Sequence, residues 1–387
     1  MSKTYQTVIY HKPTGAILLV TPNLYISSRR MLARLVHRPH WNDIAFLYFA
    51  YDISIDLGKH LVRFLSPGFP ASLVTKDGVP VDYSIKLSAQ KVLLNKGGNF
   101  LVFFKAGMGD QLFEAAALLT AQDTYKDVRF SIQVEKEYLS IMNHVSGLPP
   151  IQTAYVGQAA KSFNHKVSND TMYVSDPRPS MPGKPSLYGT FLGLHSVNKL
   201  VKIKLTKADY TAESSLFGSL PLDKVKLNFA IHFHSRSGHG KNWDIKNVIE
   251  LSELLHSSFD CNVIVLGVER PVPKPIPGII DLTGKTNWFQ TCLIVSLVDL
   301  VICIDSGVLH IARSLGTPYI ALWGGTTPRF ILGTEDPEHD IVSVIPDKPR
   351  GSHQSGDNID HYINQITPAM VLKKISKVLN SKDSQAK

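Results

Sequence analysis

The chain has 387 residues and a formal net charge of +9 at pH 7, and 44% of its residues are hydrophobic. This composition predicts a soluble globular protein that is long enough for two or three domains. No apolar run approaches the ~20 residues of a membrane-spanning helix, and the early run Ala16–Val20 is too short for a signal-peptide core. We therefore expect a cytoplasmic protein, and peripheral attachment to the inner membrane stays open.

Residues 1–96 hold 12 Lys and Arg against five Asp, so most of the net charge lies in the first quarter of the chain. A basic region favours anionic partners such as nucleic acid, a phosphorylated glycan or a membrane surface, and solubility is the alternative explanation. Short β-like runs between turn residues predict a small β-rich accessory domain for acceptor recognition or assembly. The runs are residues 7–10, 16–21, 44–49, 53–57, 61–65 and 81–87.

Residues 27–41 of this region are predicted to form a short basic helix that ends at Pro39. Arg30 and Arg34 on that helix are candidates for contact with an anionic acceptor. The alternative is a solvated helix face with no partner.

A second domain, residues 97–215, is predicted to begin with a β-α-β unit. Its strand at 99–105 leads through a turn with Gly107 and Gly109 into a helix at 111–122, and a strand follows at 128–134. The glycines let a ligand approach the backbone closely. Asp110 stands at the carboxyl end of the first strand, where open α/β sheets bind ligands, although helix capping explains an aspartate there equally well. Later in this domain, residues 188–205 are predicted to be helical.

A third domain, residues 216–387, is predicted to begin with a strand at 227–233. The loop after that strand carries Ser235, Ser237 and Lys241, a set of donors suited to phosphate but without the order of a Walker loop. Glu269 follows the strand Cys261–Leu266, where a carboxylate either binds a ribose or base or lies on the surface.

The most informative stretch is residues 300–330. The buried strand Leu300–Ile304 runs into the turn Asp305-Ser306-Gly307, and a helix and a second buried strand follow. Apolar strands that alternate with helices predict a parallel sheet covered on both faces. Small residues and free N–H groups at a helix N-terminus suit phosphate, so this turn is predicted to hold a nucleotide diphosphate.

The three cysteines, Cys261, Cys292 and Cys303, are far apart in apolar segments. We interpret them as small core residues of a protein in a reducing compartment. This spacing argues against a disulfide framework and against a metal site.

Four motifs in order resemble the ADP-heptose:lipopolysaccharide heptosyltransferases, a family of inverting GT-B glycosyltransferases. The resemblance covers roughly residues 99–380 and is strongest at 227–330. The motifs are Gly107-Met108-Gly109-Asp110, Leu282-Thr283-Gly284-Lys285-Thr286, Asp305-Ser306-Gly307-Val308-Leu309-His310 and Leu322-Trp323-Gly324-Gly325-Thr326-Thr327-Pro328.

The resemblance implies an α/β GT-B fold, with two Rossmann-like domains that enclose a cleft, and roles for individual residues. Asp110 would be the general base, and Gly107 and Gly109 would lie on the acceptor side. The donor side would bind a nucleotide-diphosphate sugar as co-substrate, ADP-heptose by resemblance, with no cofactor and no metal. The implied donor-side residues are Ser235, Ser237, Lys241, Glu269, Asp305, Ser306, Gly307, His310, Gly325 and Thr326.

The chain departs from the family pattern because about 98 residues precede the resemblance. The autotransporter-modifying heptosyltransferases are similar in carrying an extension, but their four-cysteine iron site cannot be made from three scattered cysteines. An oligomer through the N-terminal domain is one option. The acceptor stays open between a cell-envelope glycan or lipid core, a protein, and a hydroxymethylated DNA base. A non-catalytic nucleotide-sugar or glycan-binding module is the alternative of another class.

Overall fold

The structure is a computed structural model. It describes residues 7–11, 16–20, 53–56, 60–64, 72–75, 94–95, 97–104, 107–151, 165–169, 183–190, 192–194, 196–218, 220, 222, 225–235, 240–267, 276–342 and 362–385.

Five short strands are described in the first quarter of the chain, all of them in antiparallel pairs. β1 (Thr7–His11) pairs with β2 (Ala16–Val20), and β3 (Ile53–Asp56), β4 (His60–Phe64) and β5 (Ser72–Thr75) form a three-stranded sheet in that order. Four of these strands overlap predicted runs. The predicted runs at 44–49 and 81–87 and the predicted helix at 27–41 lie outside the described residues, so a separate β-rich domain stays a prediction.

The first parallel sheet follows. Its elements are β6 (Gly98–Phe104), α1 (Met108–Thr124), β7 (Val128–Gln133), the single turn α2 (Leu139–Met142) and β8 (His165–Asn169). The strand order is β7-β6-β8, with β6 paired in parallel on both sides. The predicted β-α-β unit is therefore present, and its first strand lies at the centre of the sheet.

Three short helices lead toward the second sheet: α3 (Lys184–Thr190), α4 (Lys207–Ala212) and α5 (Ser214–Phe217). The predicted helix at 188–205 is wrong. α3 begins four residues earlier and ends at Thr190, and residues 196–205 are not helical, with Ile203 forming an antiparallel bridge to Val145. The start of this helix at Lys184 was not predicted. After Thr190 the chain crosses from the first sheet to the second.

The second sheet has six parallel strands in the order β11-β10-β9-β12-β13-β14. By first appearance this is 3-2-1-4-5-6, the dinucleotide-fold order. Its elements are β9 (Leu227–His232), α6 (Ile245–Ser258), β10 (Cys261–Leu266), β11 (Ile279–Asp281), α7 (Trp288–Leu297), β12 (Leu300–Ile304), α8 (Gly307–Leu315), β13 (Tyr319–Trp323), α9 (Pro328–Leu332), β14 (Asp340–Val342) and α10 (Pro368–Gln385).

Burial on both faces explains why β12 and β13 are apolar throughout. Every residue of β12 and β13 is buried, and helices cover both sides of the sheet. On one side α6 and α10 pack through Leu251, Val371 and Ile375. α8 ends at Gly316, whose φ of 76° is left-handed and therefore favours glycine.

The core on the other face of this sheet is continuous with the core of the first sheet. One cluster of buried residues runs from Phe113 on α1 to Val308 and Leu309 on α8. The two helices meet closely because Gly109 and Gly307 carry no side chain: a Cβ at 109 would lie 2.3 Å from His310 Cδ2, and one at 307 would lie 2.9 Å from Met108 Cβ. The turns after β6 and β12 therefore come together.

Candidate active site

In each sheet the first strand in the chain lies in the interior, with later strands added on both of its sides. β6 lies between β7 and β8, and β9 lies between β10 and β12, so the loops after these strands diverge. Open α/β sheets bind ligands at such positions, outside the carboxyl ends of the strands. A cavity of about 660 Å³ lies there, lined by both turns and by the loop after β9.

The Asp110 carboxylate stands on the first-sheet side of this cavity and pairs with Lys184. Asp110 Oδ1 lies 2.5 Å from Lys184 Nζ, and the two side chains are 18% and 11% exposed. Burial raises the pKa of the Asp110 carboxyl, but the charge and hydrogen bond of Lys184, helped by Tyr188 and Lys241, lower it further than burial raises it. Asp110 is therefore a buried but ionised carboxylate at neutral pH.

The Asp305 carboxylate stands on the opposite side and makes more contacts. Its Oδ2 accepts from Lys241 Nζ at 2.8 Å and from Thr326 Oγ1 at 2.8 Å, and its Oδ1 lies 3.9 Å from His310 Nε2. Burial raises the pKa of Asp305, but the charge and hydrogen bond of Lys241 oppose it, and the net pKa lies below the ordinary value. Asp305 thus fixes the Lys241 ammonium at the rim of the cavity.

The N-terminus of α8 faces the cavity through Ser306 and Gly307. Ser306 Oγ lies 3.0 Å from His232 Nδ1 at the end of β9. Burial lowers the pKa of His232 to about 4, so this imidazole is neutral at physiological pH. The helix N-terminus, a hydroxyl and Lys241 together form a positive end suited to an anion.

His310 closes the space between the two sheets. Its ring packs edge-on to Phe113 of α1, with ring centroids 4.6 Å apart, and lies against Gly109. Burial lowers the pKa of His310 to about 3, with the Arg313 charge adding to the lowering and Asp305 opposing it. A neutral imidazole can donate or accept a hydrogen bond here, but it is not an acid at neutral pH.

Nine of the predicted site residues line this cavity, which brings together residues as far apart in the chain as Gly107 and His310. They are Gly107, Gly109, Asp110, Ser235, Lys241, Asp305, Ser306, Gly307 and His310.

Gly325 and Thr326 lie behind the cavity and not on its wall. Gly325 N donates to Gly240 O at 2.9 Å, next to Lys241, and Thr326 is buried against Asp305. Their donor-binding role stays a prediction, and the contacts favour support of Lys241 and Asp305. Ser237, Glu269, Arg30 and Arg34 lie outside the described residues.

Several residues of the cavity wall were not predicted from the sequence. Lys184 lies in a Pro- and Gly-rich stretch that gave no chemical signal, and His232 belongs to an apolar strand. Trp288 and Tyr138 pack with ring centroids 6.1 Å apart and form an aromatic side of the cavity. No sequence spacing links Tyr138 to Trp288, since the contact arises only from the packing of the two sheets.

A more open depression of about 810 Å³ lies at the opposite, amino-terminal edge of the second sheet, around His256, Cys261 and Gly278. It contains none of the predicted site residues, so the carboxyl-edge cavity is the better candidate site. Cys292 and Cys303 are buried core residues, as predicted, and Cys261 is half-buried.

Across the described part of the chain, no three His, Cys, Asp or Glu residues form a group that could hold a metal ion. Likewise, no helix among the described residues is both long and apolar enough to cross a membrane.

Two parallel α/β sheets facing one cleft define the GT-B class. Residues 186–356 match the model of Glycosyltransferase family 9 (heptosyltransferase), and the predicted resemblance to the heptosyltransferases is thereby confirmed. Lipooligosaccharide heptosyltransferase 2 of Haemophilus influenzae is 32% identical over 160 residues, which cover 37% of this chain and 44% of that protein. The alignments span less than half the length of the curated relatives that the chain matches.

Solved structures share the fold. The E. coli ADP-heptose lps heptosyltransferase II superposes with a TM-score of 0.57 at 14% identity, over 74% of this chain and 99% of that one. The iron-containing dodecameric glycosyltransferase TibC from enterotoxigenic E. coli H10407 superposes with a TM-score of 0.56 at 15% identity, over 81% of this chain and 83% of that one. The predicted α/β GT-B architecture of the two sheets is confirmed.

Proposed function

We propose that this protein is an inverting glycosyltransferase that moves a sugar from a nucleotide-diphosphate donor to a hydroxyl group of a macromolecular acceptor. The observation that carries the proposal is the opposition of groups across the cleft. An ionised, buried Asp110 stands on one side, and the α8 N-terminus with Lys241 stands on the other. A carboxylate base and an anion seat are the two requirements of this reaction.

The donor diphosphate would lie at Ser306 and Gly307, where helix N–H groups and the Lys241 ammonium offset its charge. Lys241 would then exchange part of its contact with Asp305 for phosphate oxygens. Neutral His310, between the sheets, would hydrogen-bond the sugar or the phosphate next to it. These groups stabilise the leaving diphosphate, where negative charge develops in the transition state.

Asp110 would act on the acceptor. As the acceptor oxygen forms its bond to the anomeric carbon, its O–H bond breaks and Asp110 takes the proton. The bond between the anomeric carbon and the phosphate oxygen breaks, and its electron pair leaves with the nucleotide diphosphate. Attack from the face opposite the leaving group inverts the anomeric configuration.

For the donor we propose ADP-heptose, because the motifs and the matched family are those of heptosyltransferases. For the acceptor we propose a cell-envelope glycan or protein, met on the first-sheet side of the cleft and by the basic residues 1–96. Residues 97–215 and 216–387 would be the two GT-B domains of a cytoplasmic enzyme, and oligomers would form through residues 1–96. No comparison supports DNA-base glycosylation or a non-catalytic module.

The test is a donor panel with purified protein. ADP-heptose, ADP-, UDP- and GDP-hexoses are incubated with and without envelope glycan extracts, and released nucleotide diphosphate and mass adducts on the acceptor are measured. We expect diphosphate release with one donor class, abolished by Asp110→Asn, while binding of that donor persists. No release from any donor, or release unaffected by Asp110→Asn, would contradict the proposal.

A further inference from the structure

Lys184 contacts the proposed base more closely than any other cation in the described part of the structure. Its Nζ lies 2.5 Å from Asp110 Oδ1, and both side chains line the cleft while being mostly buried. A buried ion pair of this kind costs desolvation on both partners, so it is weak evidence for a purely stabilising role. The close contact of Lys184 with Asp110 therefore needs an explanation other than stability.

The place of Lys184 in its helix adds to this cost. It is the first residue of α3, where the helix dipole disfavours a cation by about 0.3–1 kcal/mol. Nothing in helix formation calls for a lysine there. The contact with Asp110 offsets the unfavourable position, because the carboxylate supplies the opposite charge at hydrogen-bond distance.

The backbone around Lys184 is held from the second-sheet side. A Cβ on Gly183 would lie 2.3 Å from Gly333 Cα, so the start of α3 rests directly on the chain at the end of α9. Gly183 O accepts from Leu187 N at 3.1 Å, which closes the first turn of the helix. The ammonium is therefore aimed at Asp110 by a fixed helix end and not by a mobile loop.

The same helix holds the element that carries the base. One turn after Lys184, Tyr188 is fully buried, and its ring lies 6.3 Å from that of Phe113 on α1. Asp110 sits in the first turn of α1, so α3 fixes both the base's helix and the base's counter-charge.

Resting on the function proposed above, we propose that Lys184 is a positioning residue for the transfer: it pairs with Asp110 at Oδ1 and keeps the carboxyl anionic inside the cleft, so that this carboxylate can accept the acceptor's proton. The other charged or titratable groups that act on Asp110 are Tyr188 on α3, Lys241 after β9 and His310 on α8. His310 is neutral, and Lys241 is held by Asp305, so Lys184 supplies most of the counter-charge.

The first measurement is the pH dependence of kcat/KM for transfer in the wild type, Lys184→Met and Lys184→Arg. In the wild type, kcat/KM should not fall as the pH is lowered from about 8 to about 5, because Asp110 stays ionised over that range. In Lys184→Met the rate should fall as pH decreases, with the acid limb raised by at least about one unit, a tenfold loss at the low end. Lys184→Arg should restore the wild-type profile.

The control is Lys199→Met. Lys199 pairs with Asp123 at the far, exposed end of the same helix α1, so this variant removes a lysine–aspartate pair without touching the cleft. Its pH profile should match that of the wild type. An unchanged profile in Lys184→Met, or an equal loss at every pH, would overturn the proposal. If Lys184→Met fails to fold, Lys184→Gln replaces it with the same expected shift.

A second measurement does not need activity. Without Lys184 the buried Asp110 carboxyl should have a raised pKa, so the Tm deficit of Lys184→Met should be wide at pH 8 and narrower at pH 5, as Asp110 takes up a proton. In an Asp110→Asn background this pH dependence should vanish. If the wild type transfers sugar from no donor, the proposed function is wrong, but the Tm test still shows whether Lys184 keeps Asp110 ionised. If the wild type transfers but neither readout moves, only the role of Lys184 fails.

Discussion

Two lysine–aspartate pairs face each other across the cleft, and they differ in the groups that contact the carboxylate. On the second-sheet side, Asp305 accepts from both Lys241 and Thr326 at Oδ2 and has His310 near Oδ1. On the first-sheet side, Asp110 is gripped by Lys184 at Oδ1. Asp305 is therefore contacted by Lys241, Thr326 and His310 of the second-sheet side, whereas Asp110 is contacted chiefly by Lys184 and Tyr188 of α3.

Burial and ionisation alone do not distinguish a catalytic base from a structural carboxylate. The pKa of both carboxyls is lowered against the opposing effect of burial, by a lysine in each case. What separates them is position: Asp305 supports the groups that would hold the donor, and Asp110 stands where an acceptor can approach. We therefore expect a variant of Asp110 to lose mainly the transfer rate and a variant of Asp305 to lose mainly stability.

The largest effect is expected for Asp110→Asn. The amide keeps the shape of the side chain but cannot take the acceptor's proton, so transfer should slow by about 10²–10⁴-fold. Binding of the donor, measured by calorimetry with the nucleotide diphosphate, should be nearly unchanged. Loss of donor binding in Asp110→Asn would instead assign Asp110 the same supporting role as Asp305.

Asp305→Asn should mainly lower the free energy of unfolding. It removes the charge that pairs with a buried lysine, a change that typically costs about 3–5 kcal/mol of unfolding free energy. Because the folded pKa of Asp305 is lowered, its contribution is complete above the ordinary value of 3.8 and is lost as pH falls through the folded value. In denaturant titrations the difference in unfolding free energy from the wild type should thus be large at pH 7 and should begin to decrease only as the pH falls below the ordinary value of 3.8. A constant gap would contradict the pairing.

Lys241→Met should act on the donor. Loss of one charge-assisted contact, worth about 1.5–3 kcal/mol, should weaken nucleotide-diphosphate binding by about 10–100-fold. Lys246→Met is the matched control, since Lys246 is three-quarters exposed at the start of α6. Equal affinities of the two variants would remove Lys241 from the donor side.

Gly109→Ala should have the smallest effect of the four. Its Cβ would lie 2.3 Å from His310 Cδ2 and push α1 away from α8, with a cost of about 1–3 kcal/mol. Gly107→Ala is the control in thermal unfolding, because its Cβ would meet only Asp110 Oδ2 at 3.9 Å. A Tm for Gly109→Ala equal to that of Gly107→Ala would show that the helices can separate without loss.

Local sequence predicted most of the second sheet because its signals are local. Leu300–Ile304 is apolar throughout and Cys261–Leu266 is apolar except for Asn262, and the bounds of both strands agree with the prediction. The segment at 188–205 was predicted wrongly because its path is set by contacts, such as the Val145–Ile203 bridge, and not by its own periodicity.

Local sequence was enough to predict the parallel α/β class and the strand-to-helix turns at Asp110 and Asp305, because each depends on residues adjacent in the chain. Phosphate binding at the N-terminus of α8 stays a prediction. The packing of the two sheets brings Lys184 to Asp110, places Thr326 and Gly325 behind the cleft, and sets His310 against Gly109. Charges far apart in sequence become partners only when the two sheets pack, and no local pattern encodes that packing.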